Sequence, residues 1–162
     1  MVVSDIMQKK FPVLSPDDTL HDALRVLAEN DTEGAPVVKS GKIAGVITEY
    51  DIINMLNVYT PKINVSSSQH FLLLLVNLED SGEMSRLREQ LYIAMKMKVK
   101  ECMTSNPITI NRDDQIIEAA RLIARNKINM IPVVSDSKVV GIITRKDIIH
   151  ELVALEGNTC RK

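Results

Sequence analysis

Thr48 and Asp51 stand three residues apart, as do Thr144 and Asp147. Each pair closes the same phrase, GVITEYDII at 45–53 and GIITRKDII at 141–149. A hydroxyl followed three residues later by a carboxylate, where an apolar run gives way to helical spacing, has two uses. It closes a capping box: the Thr oxygen accepts from the Asp N–H, and the carboxylate accepts from the Thr N–H. The same corner also suits a ligand. A strand feeding a helix leaves free N–H groups at the positive end of the helix dipole, a place for phosphate. A hydroxyl there can bond a phosphate oxygen. The carboxylate repels phosphate but can accept two hydrogen bonds from a ribose diol. Thr and Asp at this spacing therefore fit a nucleoside with an anionic tail.

The elements that position these corners are written twice. A shift of 96 positions lays Val3–Leu56 on Val99–Leu152 without a gap, and about 19 of 54 pairs are identical, a repeat well above chance. Met7 falls on Met103, Asp17-Asp18 on Asp113-Asp114, and Pro36-Val37-Val38 on Pro132-Val133-Val134. Each copy opens with a short β segment, near Phe11–Leu14 and Pro107–Ile110. An amphipathic helix follows, with Leu20, Ala23, Leu24 and Leu27 on one face, and Ile116, Ala119, Ala120 and Ile123 on its counterpart. Asp18 and Asp114 are placed to cap these helices, and Asn30 and Asn126 to close them in the left-handed conformation. Two strands with small polar residues at the reversal come next, then a second helix over 49–57 and 145–154. The unit is β-α-β-β-α. At roughly 55 residues it buries only a modest core alone, so two copies should pack about a pseudo-twofold axis.

Two such copies, each with an apolar-Pro-Val strand and a Gly-apolar-apolar-Thr-x-x-Asp junction, resemble the cystathionine-β-synthase (CBS) domain pair, or Bateman module. The resemblance covers about two thirds of the chain and implies an α/β (α+β) fold of tandem motifs, at 3–57 and 99–155, with a partly helical insertion at 58–98 and a tail at 156–162. It implies a free-standing regulatory protein with two clefts for adenosine-type ligands: AMP, ADP, ATP or an S-adenosylmethionine-type compound. In that family the Thr and Asp hold phosphate and ribose. Here those are Thr48 and Asp51, and Thr144 and Asp147. Residues around the strand proline flank the base, here Gly34, Ala35 and Pro36, and Met130, Ile131 and Pro132. The opening β segment supplies backbone contacts, around Val13 and around Ile108 and Thr109. The resemblance further implies a homodimer and a regulated protein partner.

The two junctions differ at their middle pair. Arg145 and Lys146 put cations at a helix start, where the dipole disfavours them by roughly 0.3–1 kcal/mol. An anionic ligand explains that cost, as does plain solvation. The first copy has Glu49 and Tyr50 instead, and Glu49 suits the dipole unaided and repels phosphate. Unequal sites are expected: a phosphorylated ligand at Thr144–Asp147, and a weaker, empty or neutral adenosyl site at Thr48–Asp51. In the insertion, FLLLLV at 71–76 is a buried strand or a helix face, and 83–98 has helical spacing. That helix either covers exposed core or presents methionines to a partner.

Other functions find little support. A net charge of −1 leaves no electrostatic footprint for nucleic acid or a membrane surface, and FLLLLV is far shorter than the roughly 20 residues of a span. The N-terminus lacks a signal-peptide pattern, and two distant cysteines suit a reducing cytoplasm. His21, His70 and His150 share no ligand spacing, and no phosphate-binding or dinucleotide glycine motif occurs. The expectation is a non-enzymatic protein with no metal and no required cofactor. The competing reading is a dimerising scaffold whose Thr/Asp corners are only caps.

Overall fold

A computed structural model of the protein describes residues 1–59 and 82–159. In chain order its elements are α1 (Val3–Ile6), α2 (Leu20–Glu29), β1 (Gly34–Lys39), β2 (Lys42–Thr48), α3 (Glu49–Tyr59), α4 (Gly82–Met95), α5 (Val99–Cys102), β3 (Thr104–Ser105), β4 (Ile110–Asn111), α6 (Ile116–Asn126), β5 (Met130–Ser135), β6 (Lys138–Thr144) and α7 (Arg145–Thr159). They form two three-stranded sheets, ordered β1-β2-β3 and β4-β5-β6. The fold is the tandem α/β architecture expected from the repeat.

The hairpins explain themselves locally. β1–β2 turns at Ser40-Gly41 (φ 51° and 79°) and β5–β6 at Asp136-Ser137 (φ 49° and 64°). Two consecutive positive φ values mark the type I′ reversal, whose twist matches the flanking strands. Both hairpins slip register at the same place, between Val37 and Val38 and between Val133 and Val134.

The sequence does not announce how the copies exchange their leading segments. α1 of the first copy docks on the second: Val3 N–H donates to the Asp114 carbonyl and Ser4 N–H to that of Arg112, both at 2.9 Å. α5 of the second docks on the first, Val99 N–H to the Asp18 carbonyl and Lys100 N–H to that of Pro16. The two cores follow suit. Val3 and Met7 pack with Ile110, Ala119, Ile123, Ile131, Val133, Ile143 and Ile148. Val99 packs with Leu14, Leu20, Ala23, Leu27, Val37, Ile47 and Ile52. A third cluster joins the halves, with Val46 and Ile142 against Met130 and Phe11. Each sheet is therefore completed by the other copy: Gly45 and Val46 pair with Ser105 and Thr104, and Gln8 bridges to Ile142.

Three expectations are corrected. The opening β segment of each copy is minimal: Leu14 makes a single bridge to Val37, and β4 has only two residues. The helix caps lie one residue later than Asp18 and Asp114. Thr19 caps α2, accepting from Asp22 N–H at 3.1 Å, while the Asp22 carboxylate accepts from Thr19 N–H at 3.0 Å. The Thr19 hydroxyl, then its N–H, hold the Asp22 carboxyl below the usual carboxylate range. Asp18 and Asp114 instead accept from the N–H groups of Ser15 and Asn111, bracing the turn before the helix. Nor do the asparagines adopt the left-handed conformation, which falls to Asp31 and Lys127. Asn30 and Asn126 turn their amides back to the carbonyls of Val26 and Leu122, at 2.8 Å each, satisfying groups a helix end leaves open.

α4 covers the first copy, packing on α2 and α3, with Ala94 buried and Leu91 half-buried. Its far side exposes Tyr92, with the Lys96 ammonium 4.2 Å from the ring centre, and Ile93. The FLLLLV segment lies outside the described residues. No helix among the described residues is long and apolar enough to cross a membrane.

Candidate functional site: two clefts between the copies

At both junctions the strand ends in Thr and the helix starts on the next residue. Both capping boxes are closed. Asp51 Oδ2 accepts from Thr48 N–H (2.8 Å) and Oγ1–H (2.7 Å), and Asp51 N–H donates to Thr48 Oγ1 (3.3 Å). Asp147 Oδ2 likewise accepts from Thr144 N–H and Oγ1–H, both at 2.7 Å, with the return bond at 3.2 Å. Each threonine hydroxyl thus spends its proton on its own aspartate. The first helical N–H groups are also engaged: Glu49 N–H donates to the Glu33 carbonyl and Arg145 N–H to that of Asn129, both at 3.0 Å. The corner is a finished helix start and offers phosphate less than an open one would.

These caps carry stability. Asp51→Ala and Asp147→Ala should each cost about 1–2 kcal/mol in urea denaturation, since half-buried N–H and hydroxyl groups lose their acceptor. No loss would mean that the caps form only in the bound state.

What the caps leave over faces two clefts, of ≈ 380 and ≈ 680 Å³, within the usual size for a small-molecule site. The smaller is walled by Thr144, Arg145, Lys146 and Ile142 of the second copy. Gln8, Lys10, Pro12 and Gly34 of the first copy face them. The larger reverses the arrangement, with Val46, Thr48, Tyr50, Asp51 and Ile53 opposite Thr104, Asn106, Ile108 and Lys127. Glu33, Glu49, Asn129 and Met130 line both. Glu33 and Asn129 occupy equivalent positions in the repeat and join across the axis, Asn129 Nδ2 donating to Glu33 Oε2 at 2.7 Å.

The clefts gather some sequence-expected residues and leave others out. Gly34, Met130, Thr144, Arg145 and Lys146 line the Thr144 cleft, and Thr48, Asp51, Ile108 and Met130 the Thr48 cleft. Asp147 is reached through Gln8, whose Nε2 donates to both its carboxylate oxygens, at 3.0 and 3.1 Å. Ala35, Pro36, Ile131 and Pro132 are buried in β1 and β5 and line neither cleft. Val13 and Thr109 line neither cleft. Their predecessors Pro12 and Ile108 do, because consecutive side chains in an extended run face opposite ways.

The residues that sequence reasoning missed, above all Gln8, Lys10, Glu33, Asn129 and Lys127, enter from the copy opposite each Thr/Asp corner. The exchange of leading segments brings Gln8 and Lys10 there, and only the repeat equivalence of Glu33 and Asn129 hinted at the shared wall. The charges are unequal. The Thr144 cleft sets Lys10, Arg145 and Lys146 against Asp31, Glu33 and Glu49, whereas the Thr48 cleft sets Lys127 alone against Glu33, Glu49 and Asp51. Nearby Cys102 is half-buried. Burial first, then Glu101 and Asp51, push its thiol up, so it stays protonated near neutrality. His21 and His150 are exposed, and among the described residues no three His, Cys, Asp or Glu side chains gather as metal ligands.

Comparison with known proteins places this geometry. The family model for the CBS domain matches residues 3–58 and 99–154. The chain is 34% identical over 155 residues to the uncharacterised protein MJ1426 of Methanocaldococcus jannaschii, covering 94% of this chain and 92% of that one. It is 26% identical over 165 residues to the chloroplastic CBS domain-containing protein CBSX2 of Arabidopsis thaliana, covering 97% and 66%. Among solved structures it is similar in fold to CBSX2 in complex with AMP, with a TM-score of 0.69, 23% identity and coverage of 96% and 98%. It is also similar in fold to the CBS domain pair of protein MJ0100 in complex with 5′-methylthioadenosine and S-adenosyl-L-methionine, with a TM-score of 0.67, 24% identity and coverage of 96% and 98%.

Proposed function

The chain belongs to the CBS-domain family as a tandem pair, and from that premise we propose that it is a regulatory module whose two inter-copy clefts bind adenosine-type ligands. The observation that carries this reading is the pairing, in each cleft, of a Thr-x-x-Asp corner from one copy with the leading segment of the other. A ligand held there touches both copies, so its binding energy depends on how they sit together, which is the requirement for reporting occupancy to a partner. Structures of similar fold hold AMP in CBSX2, and 5′-methylthioadenosine and S-adenosyl-L-methionine in MJ0100.

The clefts divide the ligands by charge. The three cations of the Thr144 cleft suit a nucleotide phosphate. The carboxylates of the Thr48 cleft, against one lysine, suit an uncharged or cationic adenosyl compound. A thermal-shift series with AMP, ADP, ATP, adenosine and S-adenosylmethionine tests the reading. A ligand at 100 times its Kd adds about 2.7 kcal/mol of stability. No shift with any of them would leave a scaffold.

A specific surface supports self-association within the same reading. α7 exposes Ile149, Leu152 and Val153 on one face, and α3 exposes Ile53, the repeat equivalent of Ile149, each more than half accessible. A homodimer through these helices covers them. Ile149→Glu with Leu152→Glu should yield a monomer in light scattering without lowering the melting temperature of the monomeric fold; an unchanged mass would place the dimer contact elsewhere.

A further inference from the structure

The aspartates of the two corners are not equally free. In each, Oδ2 is spent on its own threonine, so Oδ1 is the acceptor left for a ligand. Among the described residues Asp51 Oδ1 meets only the Thr104 hydroxyl, at 3.5 Å, the outer limit of a hydrogen bond. Asp147 Oδ1 is taken by the Gln8 amide at 3.0 Å, and the same nitrogen lies 3.1 Å from Oδ2. Gln8 and Thr104 occupy equivalent positions 96 residues apart. Both are fixed by backbone pairing to the facing copy: Gln8 exchanges bonds of 2.9 and 3.1 Å with Ile142, and Thr104 pairs with Val46. The difference between the corners therefore lies in side-chain reach, not in backbone placement.

A vicinal diol asks of Asp147 what the Gln8 amide already receives: a carboxylate that accepts two N–H or O–H donors. Resting on the adenosine reading above, we infer that Gln8 is a specificity-determining residue of the Thr144 cleft, an internal stand-in for the ribose diol that a ribonucleoside must displace. Thr104 imposes no such exchange at the Thr48 cleft. Gln8 thus lowers the advantage of a ribose over a deoxyribose in one cleft alone. A ligand lacking the 2′-hydroxyl has less to gain from displacing it and binds with the amide in place.

Exchanging the two residues tests this. AMP and adenosine, each beside its 2′-deoxy analogue, are titrated into wild type, Gln8→Thr and Thr104→Gln, with the amide resonances of Thr144 and Thr48 reporting each cleft and melting temperatures checking the fold. Removing one charge-assisted bond at a partly exposed site should tighten AMP at the Thr144 cleft of Gln8→Thr about three- to tenfold, with 2′-deoxy-AMP unchanged. Thr104→Gln should weaken adenosine at the Thr48 cleft by a similar factor, with 2′-deoxyadenosine unchanged. Ligand binding to wild type that neither exchange alters overturns the inference and leaves the adenosine reading standing. Equal tightening of both nucleotides in Gln8→Thr also overturns it, as a structural effect. Binding to none of the three proteins overturns both.

Discussion

Gly45→Val should destabilise the protein by about 3 kcal/mol, more than either cap variant. A Cβ at Gly45 would lie 2.5 Å from Met103 Sδ and 2.8 Å from the Thr104 carbonyl oxygen. The methionine can swing aside, but the carbonyl belongs to a strand paired with β2 across the copies and cannot move alone. Gly141→Val meets the mirrored obstacle in Met7 Sδ at 2.7 Å and the Gln8 carbonyl at 3.0 Å. Gly41 provides the contrast. Nothing lies within 4 Å of its Cβ position, so Gly41→Ala meets only the strain of φ 79°, about 1 kcal/mol. Urea denaturation of the three variants separates close approach from backbone strain. Met103→Ala in the Gly45→Val background should recover part of the loss, because the carbonyl remains. A Gly45→Val variant as stable as wild type would mean that the exchanged segment is loosely held. Because Thr104 also lines the Thr48 cleft beside Asp51, the variant should lose ligand response there before it does at Thr144.

The same glycines show what the sequence could tell. Their recurrence in register with Thr and Asp revealed the repeat, the hairpins and the corner chemistry, because each depends on residues close in the chain. A glycine inside a strand announced a close approach but not which backbone approaches. Met7 and Met103 lie 38 residues from Gly45 and Gly141 in their own copies, yet each touches the glycine of the other. Exchange between copies of one fold leaves no local signature, since either partner presents equivalent elements, as Met7 and Met103 do. The cleft residues were legible to the same degree. Thr48, Asp51, Thr144 and Asp147 carry a spacing that means something by itself. Gln8, Lys10, Glu33 and Asn129 acquire meaning only once the other copy faces them. Ala35, Pro36, Ile131 and Pro132 are buried and line neither cleft, and an apolar residue beside a cleft reads the same in sequence whether it faces the ligand or the core.

Replacing Lys10, Arg145 and Lys146 together by alanine should weaken AMP at the Thr144 cleft about 10- to 30-fold and leave adenosine nearly unchanged. All three side chains are exposed, so each contributes about 0.5–0.7 kcal/mol toward a phosphate. The closed capping box gives these cations their importance. With the Thr144 hydroxyl bonded to Asp147 and Arg145 N–H bonded to Asn129, little of the helix start remains for an anion. Charge attraction must then come from side chains, and Asp31, Glu33 and Glu49 offset it. Such binding is screened by salt, so wild-type AMP affinity should fall as ionic strength rises, and that slope should flatten in the triple variant. Calorimetry with both ligands at two salt concentrations decides the matter. Equal losses for AMP and adenosine would show that the substitutions distort the cleft. An unchanged AMP affinity would show that the phosphate rests on backbone N–H groups after all, with the capping box opening to admit it.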